Sequence, residues 1–326
     1  MIKPLLNSLF IIFLGLAIGY LVQFLEKRGK INLPLNLENT RKILQKIAIL
    51  FLMPVTFIGA YWAMDFTQVN LLYFPLLCLF QLILGGTIAL LIARSIHMND
   101  FDTGAFFCCG FFSNLGNIGG LICFLLLGEE GYKLVALYIL SIQIAYYTIG
   151  FPVAKYYAMK NNQSGQKIID LKAMVKDPFI MVAMASIIIG LGFNASGWER
   201  PIIFSSIIAF FIPISTILLL ISIGLSMKLN KVREYLKASI LIAGIKFIII
   251  PTVMVSIGFL MGYHQIIEGL PLKVILILSS MPVAFNSLIP PSIYGLNLDL
   301  ANSCWVFTTF SLVLLLPILF LLINLI

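Results

Sequence analysis

Charge is scarce in this chain. Asp, Glu, Lys and Arg make up 10% of its 326 residues, and only 13 residues are acidic. Soluble domains carry about 25% charged and 45–50% apolar residues, whereas the apolar share here is 61%. A soluble fold of this size has too little interior for that much apolar surface, so lipid must cover it. Histidine is nearly absent as well. His97 and His264 fall in separate loops, which argues against a metal centre, and neither a metal nor a cofactor is expected. The five cysteines all lie in apolar stretches and form no Cys-x-x-Cys pair. They are read as reduced packing residues, not as a disulfide framework. No paired acids, His-Glu-x-x-His motif or Ser-His arrangement occurs at depth, so an intramembrane enzyme is disfavoured. The basic residues are divided among short loops, which argues against a nucleic-acid partner despite a net charge of +8.

What is abundant is long apolar sequence. A membrane-spanning helix needs about 20 mostly apolar residues. Ten such stretches are legible, near 5–25, 43–63, 69–93, 103–127, 131–157, 178–194, 201–226, 236–260, 273–294 and 300–325. Met-Ile-Lys-Pro leads straight into the first without a small-residue cleavage site, which predicts a retained helix, not a signal peptide. With the N-terminus placed outside, alternate loops collect the basic residues. Sixteen then face inward, six of them between Lys27 and Lys46 and five between Lys155 and Lys176. Only Lys3, Lys133, Arg200 and Lys273 face outward, while Lys246 lies inside helix eight. Cytoplasmic loops hold the excess of Lys and Arg, so both termini are expected outside and the central loop in the cytoplasm of a multi-pass cell-membrane protein.

The polar stretch 158–177 divides the chain into five helices, 1–157, and five more, 178–326. An odd number per half reverses the second half in the bilayer, the arrangement of an inverted repeat. Echoes support it: Pro54 with Pro213, Pro152 with Pro317, and Gln81 near the place of Lys246. The expected fold is an all-α integral membrane protein of ten transmembrane helices in two inverted five-helix repeats.

Helices four and nine are interrupted at corresponding places. The first carries Asn114, Gly116, Asn117, Gly119 and Gly120; the second carries Pro282, Asn286, Pro290 and Pro291. Mid-helix glycine and proline release backbone groups that lipid cannot satisfy, a break tolerated where it lines a polar cavity. Half-helix ends then offer partial charges to a solute. Close helix packing is the plainer reading of the glycines, because Gly116 and Gly120, like Gly15 and Gly19, have Gly-x-x-x-Gly spacing. Asparagine offers donors and an acceptor and so can brace a break or touch a ligand. Lys246 is the one ionisable residue near mid-helix, and no acid accompanies it at depth. A buried cation of this kind suits an anionic solute; it can equally reach an interface or brace the breaks through carbonyls. The candidate solute-binding residues are Asn114, Asn117, Asn286, Lys246 and Gln81, with Gly116, Gly119, Gly120, Pro282 and Pro290 shaping the interrupted backbone.

These residues resemble the auxin efflux carrier family of membrane transporters. Its helix-four motif is matched by Asn114, Gly116 and Gly119, with Leu121 in place of a proline. Its helix-nine pattern is matched by Met281, Pro282, Ala284, Asn286, Tyr294 and Gly295. Asp177-Pro178, Ile223-Gly224-Leu225-Ser226 and Lys246 with Pro251 extend the match over the whole chain. The resemblance implies that helices four and nine cross at mid-membrane. It also implies a scaffold of helices one, two, six and seven, an elevator-like transport domain of the rest, and a small organic anion as substrate. The long cytoplasmic loop of the plant carriers is missing, which points to a short microbial-type member and away from auxin. A homodimer is an admissible assembly. A bile-acid-type or arsenite-type carrier and a non-transporting membrane sensor are the alternatives.

Overall fold

Helix and proline together set the local architecture. The computed structural model describes residues 2–31, 35–65, 69–161, 178–227, 229 and 231–326. Most of the expected central loop, Asp177 included, lies outside the described residues. Among the described residues the chain is helical, with one isolated antiparallel bridge, Ser113 to Val283. Among the described residues, six helices are long and apolar enough to cross a membrane: Lys3–Lys27, Leu37–Trp62, Asn70–Ser95, Leu115–Lys160, Ile203–Gly224 and Leu236–Leu260. Leu298–Phe310 and Leu312–Ile323, bent by 48°, make a seventh if taken as one span. The other apolar stretches of the sequence are present as shorter pieces. Stretches 103–127 and 273–294 are cut by their breaks, and 178–194 corresponds to the helix Pro178–Ala195. Gly128, at φ 73°, separates the end of the fourth stretch from the start of the fifth.

Three interior prolines share one local solution. Pro54, Pro152 and Pro251 each lie two residues beyond a five-residue π turn: Ala48–Leu52, Tyr146–Gly150 and Ile245–Ile249. Proline lacks an N–H and its ring collides with the carbonyl four residues back. Each of those carbonyls falls inside the π turn, where the wider winding makes room. Pro213 and Pro317 sit in continuous α-helix instead.

The described residues fall into two compact units. The first takes those within Met1–Val69, Gly116–Leu137 and Ile169–Met227. In it, helix Ile2–Lys27 lies against Ile203–Gly224 at a contact that only glycine permits. A Cβ on Gly19 would stand 2.9 Å from the Gly224 Cα, and one on Gly15 would stand 2.7 Å from the Leu220 Cβ. Close approach of this kind replaces the hydrophobic drive that lipid removes. Gln23 Nε2 donates to the Leu225 carbonyl at 2.8 Å, satisfying a helix end. Asn194 does the same for the helix ending at Trp62, donating to the Trp62 and Met64 carbonyls at 2.8 and 2.7 Å. Arg200 ties three segments together by bonding Glu129, Ser205 Oγ and the Gly59 carbonyl.

The second unit takes those within Asn70–Leu115, Tyr138–Ile168 and Lys228–Ile326. Helices Phe74–Ser95 and Asp100–Phe111 approach closely through Gly85 and Gly110; a Cβ on Gly110 would lie 2.5 Å from the Ala89 Cβ. Each unit draws on both halves of the chain. A repeat is a statement of symmetry and a unit one of packing, and the two need not share boundaries.

Candidate functional site

Both breaks are built by their local sequence. Helix Asp100–Phe111 starts on Asn99, whose side chain accepts from the Asp102 N–H at 2.7 Å. It stops at Phe112, which turns extended at φ −77°, ψ 124°. Winding resumes in the π turn Leu115–Gly119. In the second break, helix Leu270–Ser279 ends before Met281-Pro282, and Ala284 is extended at ψ 149°. A single 3-10 turn, Phe285–Leu288, then leads into Ile289–Tyr294. Pro290 stands in the first turn of that helix, where no N–H is needed and its fixed φ already suits the helix.

The two extended segments pair with each other in the second unit. The Asn114 N–H donates to the Pro282 carbonyl at 3.0 Å, and the Ala284 N–H donates to the Phe112 carbonyl at 3.2 Å. Ser113 stands opposite Val283 in an antiparallel bridge. Side chains satisfy groups that this bridge leaves over. Tyr146 Oη donates to the Ser113 carbonyl at 3.1 Å, and Thr308 Oγ1 accepts from the Val283 N–H at 3.3 Å. Gln81 Nε2 donates to the Leu278 carbonyl at 3.2 Å, while its Oε1 accepts from Tyr138 Oη at 2.6 Å. Buried backbone groups must be paired, and this set shows how a break survives without water.

Lys246 is fully buried in the π turn Ile245–Ile249. Its Nζ donates to the Gly110 carbonyl at 2.7 Å and to Ser113 Oγ at 2.5 Å. The Gly110 carbonyl belongs to the last turn of its helix, where carbonyls lack intrahelical partners and the partial charge is negative. No carboxylate forms an ion pair with Lys246 among the described residues. The ammonium is thus held by a helix end and a hydroxyl at the first break.

The structure brings together Asn114, Lys246, Gln81 and Pro282 in the second unit. Asn114 is buried, whereas Asn286, four residues beyond the paired Pro282, is exposed. Pro290 is buried at the start of the following helix. Gly116, Asn117, Gly119 and Gly120 fall within the first unit, Asn117 half-buried and Gly120 against Tyr132. Two polar groups near the second break went unnoticed in the sequence. Ser287 Oγ and Trp305 Nε1 are buried and have no hydrogen-bond partner among the described residues. Trp305 packs edge-on against Phe285, with ring centroids 5.8 Å apart. Ser287 stands five residues past Pro282 and Trp305 in helix Leu298–Phe310, and only the fold shows that both groups lack partners.

No family model matches the chain. It is similar to an uncharacterized transporter of Methanothermobacter thermautotrophicus, 22% identical over 303 residues that make up 92% of each chain. It is also similar to an uncharacterized transporter of Methanocaldococcus jannaschii, 27% identical over 285 residues, 84% of this chain and 87% of the relative. The apolar helices support a multi-pass membrane protein, and both relatives carry the name of transporters.

Proposed function

We propose that this protein is a secondary transporter of the auxin efflux carrier type that moves a small organic anion, such as a mono- or dicarboxylate, by alternating access. In this reading it has ten membrane helices in two inverted repeats, 1–157 and 178–326, joined by a cytoplasmic linker at 158–177. Both termini face outward from the cell membrane. The first unit, which holds the stretches read as helices one, two, six and seven, is the scaffold, and the second carries the solute.

The observation that carries the reading is the backbone pairing of two broken helices, 112–114 with 282–284. A paired break is costly to build and leaves new helix starts beside it, whose free N–H groups attract anions. Asn114 ends the first paired segment and Asn286 lies two residues beyond the second, and Ser287 Oγ and Trp305 Nε1 have donors to offer. A carboxylate, which accepts only, would satisfy such donors. Lys246 contributes positive potential and braces the first break through Gly110 and Ser113. Fully buried as it is, Lys246 acts in this reading through its charge and its bracing of the break.

The test is uptake of labelled carboxylates, and of neutral and cationic solutes, by the purified chain in proteoliposomes. Carboxylate uptake is expected in the parent. Asn286→Ala and Ser287→Ala are expected to lower it more than they lower the amount of folded protein. Transport confined to neutral or cationic solutes, or full uptake by both variants, would overturn the anion site. A cysteine placed at Gln163 should react with a membrane-impermeant reagent from the cytoplasmic side; labelling from outside defeats the topology.

A further inference from the structure

A second polar site lies apart from the breaks, within the second unit. Arg94, His97, Asp100, Thr103, Tyr156 and Lys160 line a cavity of about 350 Å³. That is the size of a small-ligand site. Its charges are unbalanced. Lys160 Nζ pairs with Asp100 Oδ1 at 2.9 Å, which leaves the Arg94 guanidinium as the uncompensated charge. Arg94 has neither an ion pair nor a side-chain hydrogen bond among the described residues and is exposed. The Thr103 hydroxyl already donates to the Met98 carbonyl at 3.3 Å.

His97 reaches this cavity through an unusual backbone. Helix Phe74–Ser95 ends in a Schellman motif: the Met98 N–H donates to the Ala93 carbonyl at 2.9 Å, and the His97 N–H donates to the Arg94 carbonyl at 3.1 Å. The motif needs a left-handed residue at the position of His97, normally glycine. His97 adopts it at φ 55°. An L residue with a bulky side chain is strained there, and what that strain achieves is an imidazole at the cavity wall beside Arg94.

The cavity borders an apolar belt. Leu91, Ile96, Tyr156 and Met159, on helices Phe74–Ser95 and Phe151–Asn161 and the turn after the first, are 38–61% exposed. Apolar side chains facing outward next to a tyrosine and a basic cluster describe the edge of the hydrocarbon layer. Basic pockets at that level take phosphate headgroups, and the arginine fork matches phosphate oxygens in pairs.

We propose that this cavity is a phosphate-binding site, with the Arg94 guanidinium supplying the uncompensated charge, Lys160, paired with Asp100, a second ammonium donor, and His97 a ring donor. The phosphate belongs either to the headgroup of an anionic phospholipid or to a soluble phosphate ester; the apolar belt favours the lipid. The site is independent of the solute site and of the transported species.

The full chain, purified in neutral detergent and stripped of lipid, is titrated with phosphatidylglycerol, phosphatidylcholine and inorganic phosphate. Native mass spectrometry and the thermal midpoint are the readouts. Phosphatidylglycerol is expected to bind and raise the midpoint, and Arg94→Gln to weaken it about tenfold or more, the worth of one charge-assisted bond. Protection by inorganic phosphate but not by lipid, lost in Arg94→Gln, assigns the site to a soluble ester. His97→Gly guards against misfolding: glycine suits the Schellman position, so its ligand-free midpoint should equal or exceed the parent's while binding falls. The proposal is overturned if phosphatidylcholine protects as well as phosphatidylglycerol, if neither lipid nor phosphate protects, or if Arg94→Gln and Lys160→Gln both retain parental affinity.

Discussion

Removing the Ser113 hydroxyl isolates what holds the buried ammonium. Lys246 Nζ has two protein partners, Ser113 Oγ at 2.5 Å and the Gly110 carbonyl at 2.7 Å. Ser113→Ala deletes one and leaves the charge in place. A hydrogen bond to a charged group is worth about 1.5–3 kcal/mol. For a cooperative body of 150–250 residues each kcal/mol moves the melting midpoint by about 2–4 °C, so a fall of about 3–12 °C is expected. Lys246→Met behaves differently, because it removes the charge together with its desolvation cost; replacing a buried ion by an apolar side chain of similar volume is often neutral or stabilising. In the double variant the serine no longer matters, since its partner is gone. The four proteins form a double-mutant cycle, read by thermal unfolding in detergent, with a coupling of at least about 1 kcal/mol expected. If Ser113→Ala melts within a degree of the parent, or the two substitutions simply add, the ammonium is not held by that hydroxyl and the bracing role of Lys246 falls.

Two further predictions concern stability. Burial pushes the Glu129 carboxyl up, but hydrogen bonds from Arg200 and Ser205 and the charges of Arg200 and Lys133 outweigh this and hold it below the usual glutamate range. A depressed carboxylate stabilises the folded state above its unfolded pKa, about 4.3, and that contribution fades as pH falls through the lower folded value. Glu129→Gln should therefore flatten the acid limb of a melting profile between pH 3 and 6, and an unchanged limb would refute the assignment. Gly110→Ala should destabilise by about 1–3 kcal/mol through overpacking, because its Cβ would meet Ala89 and the Gly85 carbonyl at 2.5 Å; a midpoint equal to the parent's would show that the two helices can part freely.

Some features could be read from composition alone and others could not. Stretches such as 69–93 and 236–260 correspond to the helices Asn70–Ser95 and Leu236–Leu260, because a window of about twenty apolar residues is a long and redundant signal, whereas 103–127 and 273–294 are present only in pieces. The interruptions at 112–119 and 280–288 were visible for a local reason as well, since glycine, asparagine and proline act on their own backbone. The π turns were hidden. Pro54, Pro152 and Pro251 announce a lost hydrogen bond but not how the helix absorbs it, and Pro213 and Pro317 absorb it without one. The surroundings of Lys246 were equally hidden. Absence of an acid at depth was legible, whereas the choice of Gly110 and Ser113 as partners depends on contacts between segments far apart in the chain. Ser287 and Trp305 stand out only by lacking a partner, which no sequence pattern records.

The pairing of the two breaks also fixes an order of events during synthesis. Phe112 and Asn114 leave the ribosome long before Pro282 and Ala284, their backbone partners. Domains made from the N-terminus onward form their local contacts first, and contacts between distant segments wait. Until the second break arrives, the first half carries an amide and a carbonyl with no mate in a medium that offers them none. The bridge is therefore a late closure that completes the second unit, and a nascent chain stopped before residue 282 would expose an open seam to the cell's quality control.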